Sequence, residues 1–143
     1  MSQNPLCPTL FVTDDRINDD HIRLLSSLPA SLTGTRRLCF HRSNDAELHI
    51  MLVQGAIDHT YPPHCHTDSD ELTVVIRGGM EITAWSDGIK KPPSLIVVGK
   101  AFSGDHAVIV RKGIFHMTRP LSAETAYIEV KLGPFDPAAL QRL

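Results

Sequence analysis

From Arg36 to Leu132 the chain is cut into short apolar or alternating runs, each closed by turn residues. The runs are RLCFH (37–41), ELHIMLVQGAI (47–57), TYPPHCH (60–66), ELTVVIR (71–77), MEITAW (80–85), SLIVV (94–98), HAVIVR (106–111), GIFHM (113–117) and AYIEVKL (126–132). Gly78-Gly79, Asp87-Gly88 and Lys112-Gly113 stand between them, the dipeptide types from which hairpin turns are built. No helical segment alternates with these runs, which excludes a βαβ sheet. The spacing predicts an all-β fold, a small antiparallel jelly-roll barrel or sandwich of eight or nine strands.

Two helical signals flank this region. In NDDHIRLLSSLP, Asn18 or Asp19 can cap a short helix, Ile22, Leu25 and Leu28 share one face, and Pro29 stops it. In the tail GPFDPAALQRL, Asp136 and Pro137 predict one more helical turn. The expected organisation is an N-terminal segment with a short helix (1–35) and a β-barrel (36–143), forming one structural domain. At 143 residues the chain is long enough to bury a core without staples.

Charge and cysteine usage narrow the partners. A net charge of -2 gives no general attraction to nucleic acid or to an anionic membrane. No apolar run approaches the roughly 18 residues of a membrane span, and the N-terminus lacks the basic and apolar regions of a secretory signal. Cys7, Cys39 and Cys65 are odd in number and form no CxxC pair, which predicts free thiols, a reducing compartment and hence the cytoplasm.

The stretch YPPHCHTDSDELTVVIRGG (61–79) carries the chemistry. Residues two apart on a strand share a face, so His64 and His66 project together while Cys65 points away. After the short TDSD loop, Glu71 opens the next strand and can lie beside the imidazoles. Imidazole and carboxylate together suit iron, manganese, nickel or zinc. His116, in the GIFHM run, is the candidate for a further ligand. Taken alone, HxH also reads as a polar loop mouth with Glu71 at a solvated strand end. His21 and His106 read as surface residues. No G-x-S-x-G elbow, HExxH helix or zinc-ribbon spacing is present, so Ser or Cys nucleophilic catalysis is not expected.

The longer pattern runs H-x-H, four residues, Glu, six residues, Gly, from His64 through Glu71 to Gly78, with Gly113 and His116 following. It resembles the two motifs of the cupin superfamily. Asp58 stands in place of the leading glycine of the first motif. Arg111 and Pro120 stand where proline and asparagine are usual in the second. The segments RRLCFHRSND and IEVKLGPFDP, with the HCH…E block, are similar to the WbuC-type cupin-fold metalloproteins, small single-domain proteins associated with bacterial surface-polysaccharide gene clusters. The resemblance implies one divalent metal ion held by His64, His66, Glu71 and His116, with one or two coordination positions open, and a homodimer. It also implies a metal-dependent enzyme acting on a small polar or sugar-derived molecule. A metal-dependent dioxygenase of a small organic acid or thiol, and a non-catalytic ligand- or metal-binding module, are the alternatives.

A substrate pocket would draw on Arg37, His41, Tyr61, Glu129 and Lys131, with His49 and His59 nearby in sequence. Arg37 and His41 suit an anionic group. In AYIEVKL, Tyr127, Glu129 and Lys131 alternate with Ala126, Ile128, Val130 and Leu132. By periodicity the apolar face belongs in the core. The likeness of EVKLGPFDP to the family's tail implies instead that the polar face lines the interior.

Overall fold

The structure is a computed structural model that describes residues 9–31, 34–57, 60–89 and 91–143; Cys7 and His59 lie outside these residues. It contains strands β1 (Thr9–Phe11), β2 (Arg36–Cys39), β3 (Leu48–Gln54), β4 (His64–His66), β5 (Glu71–Arg77), β6 (Met80–Ile89), β7 (Ser94–Val98), β8 (Ala107–Val110), β9 (Phe115–Pro120), β10 (Ala126–Leu132) and β11 (Leu140–Arg142). One helix, α1 (Asp19–Ser27), precedes most of them, and a 3-10 turn at Pro137–Ala139 precedes the last. The strands form a six-stranded sheet, ordered β1-β2-β3-β10-β5-β8, and a five-stranded sheet, ordered β11-β4-β9-β6-β7. Pairing is antiparallel except between β1 and β2. This is an all-β sandwich of two sheets with a short N-terminal helix, and its barrel is not closed.

Local chemistry explains the flanking elements. The Asn18 side chain accepts from the Asp20 and His21 backbone N–H groups, while His21 Nδ1 accepts from the Asn18 N–H at 3.2 Å, a reciprocal cap. Asp136 caps the 3-10 turn by accepting from the Ala138 N–H at 2.9 Å. His21 is not a surface residue. Its Nε2 lies 2.8 Å from Asp14 Oδ2 and its ring packs against Phe40, which buries it.

The six-stranded sheet is covered on both faces. On one, Leu38, Leu52 and Ile128 pack beneath Ile22 and Leu25 of α1. On the other, Cys39, Met51, Val53, Val75 and Tyr127 meet Met80, Ile82 and Val98 of the five-stranded sheet. Strand β10 lies centrally, paired with β3 and β5, and its odd-numbered residues face the interior between the sheets. The inference from periodicity therefore fails for this strand. Its polar face is the inner one, and its apolar face goes outward, where α1 covers Ile128.

The turns also differ from expectation. Gly78 and Gly113 adopt positive φ (68° and 78°), as left-handed turn positions favour. The turn at Gly78 links β5 to β6 and that at Gly113 links β8 to β9, so each carries the chain from one sheet to the other instead of closing a hairpin. Asp87-Gly88 lies within β6. Only His64–His66 of the TYPPHCH run is strand, and β1 and β11 arise in segments whose sequence reads as irregular or helical.

Candidate metal centre

His64 and His116 are directly paired across β4 and β9, and His66 follows on the same face of β4. One ligand nitrogen from each of these three imidazoles lies within 4.8 Å of the other two. The fourth group comes from the opposite sheet. Glu71, at the start of β5, places Oε2 3.0 Å from His66 Nε2 and Oε1 3.8 Å from His116 Nε2. The carboxylate thus approaches the imidazoles across the space between the sheets, not from a neighbouring strand as the short TDSD loop suggests.

The second ring nitrogens orient two of the rings. His116 Nδ1 lies 3.0 Å from the Ile114 carbonyl, and His64 Nδ1 lies 2.9 Å from that of Pro62. A carbonyl only accepts, so these contacts place the proton on Nδ1 and leave the Nε2 lone pair facing inward. His66 Nε2 and His116 Nε2 are both buried and make no hydrogen bond, although the Glu71 carboxylate is in ion-pair range. Buried polar atoms are normally satisfied. Two such nitrogens beside a buried carboxylate fit a cation bound among them, and the donor set suits a first-row divalent ion. The His64, His66 and His116 group could hold a metal.

Electrostatics supports the same arrangement. Burial depresses His64 to about 4, which keeps it a neutral donor. Burial also opposes ionisation of Glu71, yet the facing His116 and His66 rings outweigh it and hold the carboxyl well below the usual range. His116 is raised despite burial, because the Glu71 carboxylate faces it. The carboxylate thus favours positive charge on the imidazole it faces, as it would favour a bound cation.

Behind Glu71 a polar row crosses the six-stranded sheet. Lys131 is in register with Glu71 on one side and with His49 on the other. His49 stacks on His41, with ring centroids 4.0 Å apart. Both imidazoles are depressed, chiefly by burial, with Lys131 adding to the effect. Glu129 lies one inward position deeper, opposite Met51 and Thr73, and is raised by burial and by the Glu71 charge. Arg37 also acts on this interior, influencing Glu129, Tyr127 and His41. Tyr61 lies outside the row, with its hydroxyl 2.6 Å from Thr35 Oγ1.

The structure therefore gathers His64, His66, His116 and Glu71 into one cluster and places Lys131, Glu129 and His41 beside it. The sequence places His49 only near the pocket candidates. Its signal is the alternation with Met51 and Val53, which marks all three as inward once β3 is central. His106 is exposed, as expected. Cys39 and Cys65 are buried, with Cys65 Sγ directed toward Gln141 at 3.8 Å.

No protein-family model matches the chain, and no curated protein sequence matches it. Solved structures do. KdgF from a Halomonas species superposes with a TM-score of 0.57 and 17% identity, over 85% of this chain and 95% of that one. A protein from Shewanella oneidensis gives 0.65 and 15%, over 87% and 83%. Oxalate decarboxylase from Lactobacillus farciminis gives 0.60 and 12%, over 81% of this chain but only 33% of that one. The architecture shared with these proteins is the cupin fold, and the histidine cluster makes this chain a cupin-fold protein with a site suited to a metal ion. Among the described residues, no helix is long and apolar enough to cross a membrane.

Proposed function

We propose that the chain is a divalent-metal-dependent enzyme of the WbuC type, acting on a small polar or sugar-derived molecule of bacterial surface-polysaccharide metabolism. The observation that carries this reading is the pair of buried, unbonded Nε2 atoms of His66 and His116 facing the Glu71 carboxylate. His64, His66, His116 and Glu71 would hold one iron, manganese, nickel or zinc ion. Such an ion polarises a carbonyl or acidifies a bound water. The chain's own part is to hold the His116 and His64 rings with Nδ1–H on the Ile114 and Pro62 carbonyls and Nε2 toward the centre, and to line the interior with Lys131, Glu129 and Arg37. Similar folds carry small oxygen-rich molecules, since an oxalate oxidase holds glycolate and the oxalate decarboxylase holds formate. Those likenesses also keep open a second reading, an oxygen-consuming enzyme on a small organic acid.

A cytoplasmic homodimer completes the proposal. Leu48, Leu132 and Ile109 are 47%, 60% and 50% exposed on the outer face of the six-stranded sheet, beyond the cover of α1. A second copy would bury them, and sedimentation would show a monomer if they stay in water.

Element analysis of protein purified without added metal tests the centre. One divalent ion per chain is expected in the wild type and none in His116→Ala, with circular dichroism showing that the variant folds. A folded variant that keeps its ion refutes the site. Oxygen uptake with bound iron would select the second reading.

A further inference from the structure

Two of the three proposed ligand imidazoles are aimed by hydrogen bonds, since His116 and His64 rest their Nδ1–H groups on the Ile114 and Pro62 carbonyls. Among the described residues no carbonyl does this for His66, whose ring meets Glu71 Oε2 through Nε2 at 3.0 Å. The Cβ–Cγ torsion of a histidine is broad and roughly two-fold when nothing else acts on it. Rotation about that bond would carry Nε2 away from the centre. Packing must therefore supply what a second hydrogen bond does not.

The strand beside His66 is β11, the edge of the five-stranded sheet, with Leu140 opposite His66, Gln141 opposite Cys65 and Arg142 opposite His64. Its ladder continues at both ends. The Thr67 N–H donates to the Ala139 carbonyl at 2.9 Å and the Leu143 N–H to the Pro63 carbonyl at 3.3 Å. Bonded and non-bonded pairs alternate along an antiparallel ladder, so these two bonds put Leu140–His66 and Arg142–His64 at non-bonded positions. There the Cα atoms stand only about 4.5 Å apart and side chains on one face approach most closely. Leu140 and His66 line the same small cavity, which places the leucine on the ligand face of the sheet. Gln141 meets Cys65 on the opposite face. Arg142 is exposed and Leu140 half-buried, so Leu140 makes the packing contact. The Thr67 hydroxyl, donating to the Ala139 carbonyl at 3.1 Å, and the Asp136 cap fix where β11 begins.

We infer that Leu140 is a positioning residue of the metal centre: from the neighbouring strand it walls the His66 ring and keeps Nε2 aimed at the ion, as the two carbonyls do for His116 and His64. This rests on the metal-centre reading above and adds to it a residue that touches neither ion nor substrate. A strand that orients a ligand is held in turn by the bound ion, because coupling between two sites is reciprocal. Metal and β11 therefore stabilise each other, and the segment after Asp136 tightens when the ion binds.

Cobalt(II) provides the test, since its visible spectrum reports the ligands without requiring turnover. Its Kd is measured by chelator competition in wild type, Leu140→Ala, Leu140→Met and Gln141→Ala, the last altering the same strand on its other face. Expected are a loss of about tenfold or more in Leu140→Ala with an altered spectrum, recovery of most of it in Leu140→Met, and little change in Gln141→Ala. Amide hydrogen exchange of residues 137–143 should slow when wild type binds cobalt, and slow less in Leu140→Ala. A folded Leu140→Ala that binds cobalt with unchanged Kd overturns the positioning role and leaves the metal centre standing. Equal weakening by Gln141→Ala also overturns it, because the effect would then belong to the strand at large. Should Leu140→Ala fail to fold, wild-type exchange decides: identical rates at 137–143 with and without cobalt overturn the inference. Wild-type protein that takes up no cobalt overturns the inference together with the reading it rests on.

Discussion

Replacing Glu71 by glutamine keeps the shape of a buried side chain, 6% exposed, and removes its charge. In metal-free protein the carboxylate is what raises His116, so whenever that ring is protonated the folded site holds an imidazolium–carboxylate pair that the variant lacks. Removing one partner of a buried pair costs roughly 3–5 kcal/mol when the other charge is stranded. Here His116 can discard its proton, so about 2–3 kcal/mol is expected, the scale of a charged buried interaction. The sign with pH follows from both shifts. His116 lies above its ordinary 6.5 in the folded state, so its contribution is complete below 6.5 and fades as pH rises through the folded value. Glu71 lies below its ordinary 4.5, so its contribution is complete above 4.5 and fades as pH falls through the folded value. The deficit of Glu71→Gln should therefore be largest between pH 4.5 and 6.5. Urea denaturation in the presence of a chelator, run from pH 4 to 9, measures it. A deficit that stays constant to pH 9, or a variant more stable than wild type at pH 5.5, would refute the pairing. With metal present the same substitution should weaken binding by at least about a hundredfold, beyond the usual effect of losing an outer partner of a ligand.

Metal affinity should fall about tenfold per pH unit below the folded value of His116, because one proton must leave before the ion binds. Competition with a chromophoric chelator between pH 5 and 8 gives the slope. A slope of two or more in that window would refute a neutral His64, which burial depresses to about 4. At Gly133 an added Cβ would lie 1.9 Å from the Ala46 carbonyl oxygen and 2.6 Å from the His49 ring. Gly133→Ala must therefore push apart two backbone contacts, Gly133 N–H to Glu47 at 2.8 Å and Phe135 N–H to Asn44 at 2.9 Å. A loss of about 2–4 kcal/mol in urea is expected; a change under about 0.5 kcal/mol would mean the loop yields freely.

Much of the ligand set is legible in the chain because strand periodicity is local. Spacing of two sets His64 and His66 on one face, and the cap residues Asn18 and Asp136 announce their helical turns within three positions. What stays hidden depends on partners distant in sequence. The inward turn of Tyr127, Glu129 and Lys131 follows from β10 lying between β3 and β5 with α1 covering its apolar side, and no residue near β10 reports that α1 is there. His49 and His21 were hidden for the same reason, since each is buried by a segment elsewhere in the chain.

The amino-acid order by itself determined an all-β chain with three histidines and a glutamate at spacings suited to one ion. Tertiary structure decided which sheet supplies each donor, and that a lysine in register with Glu71 stands inside instead of in water. The physical reason is that alternation specifies two faces of a strand but not which face is covered, and covering is a property of the packed layers.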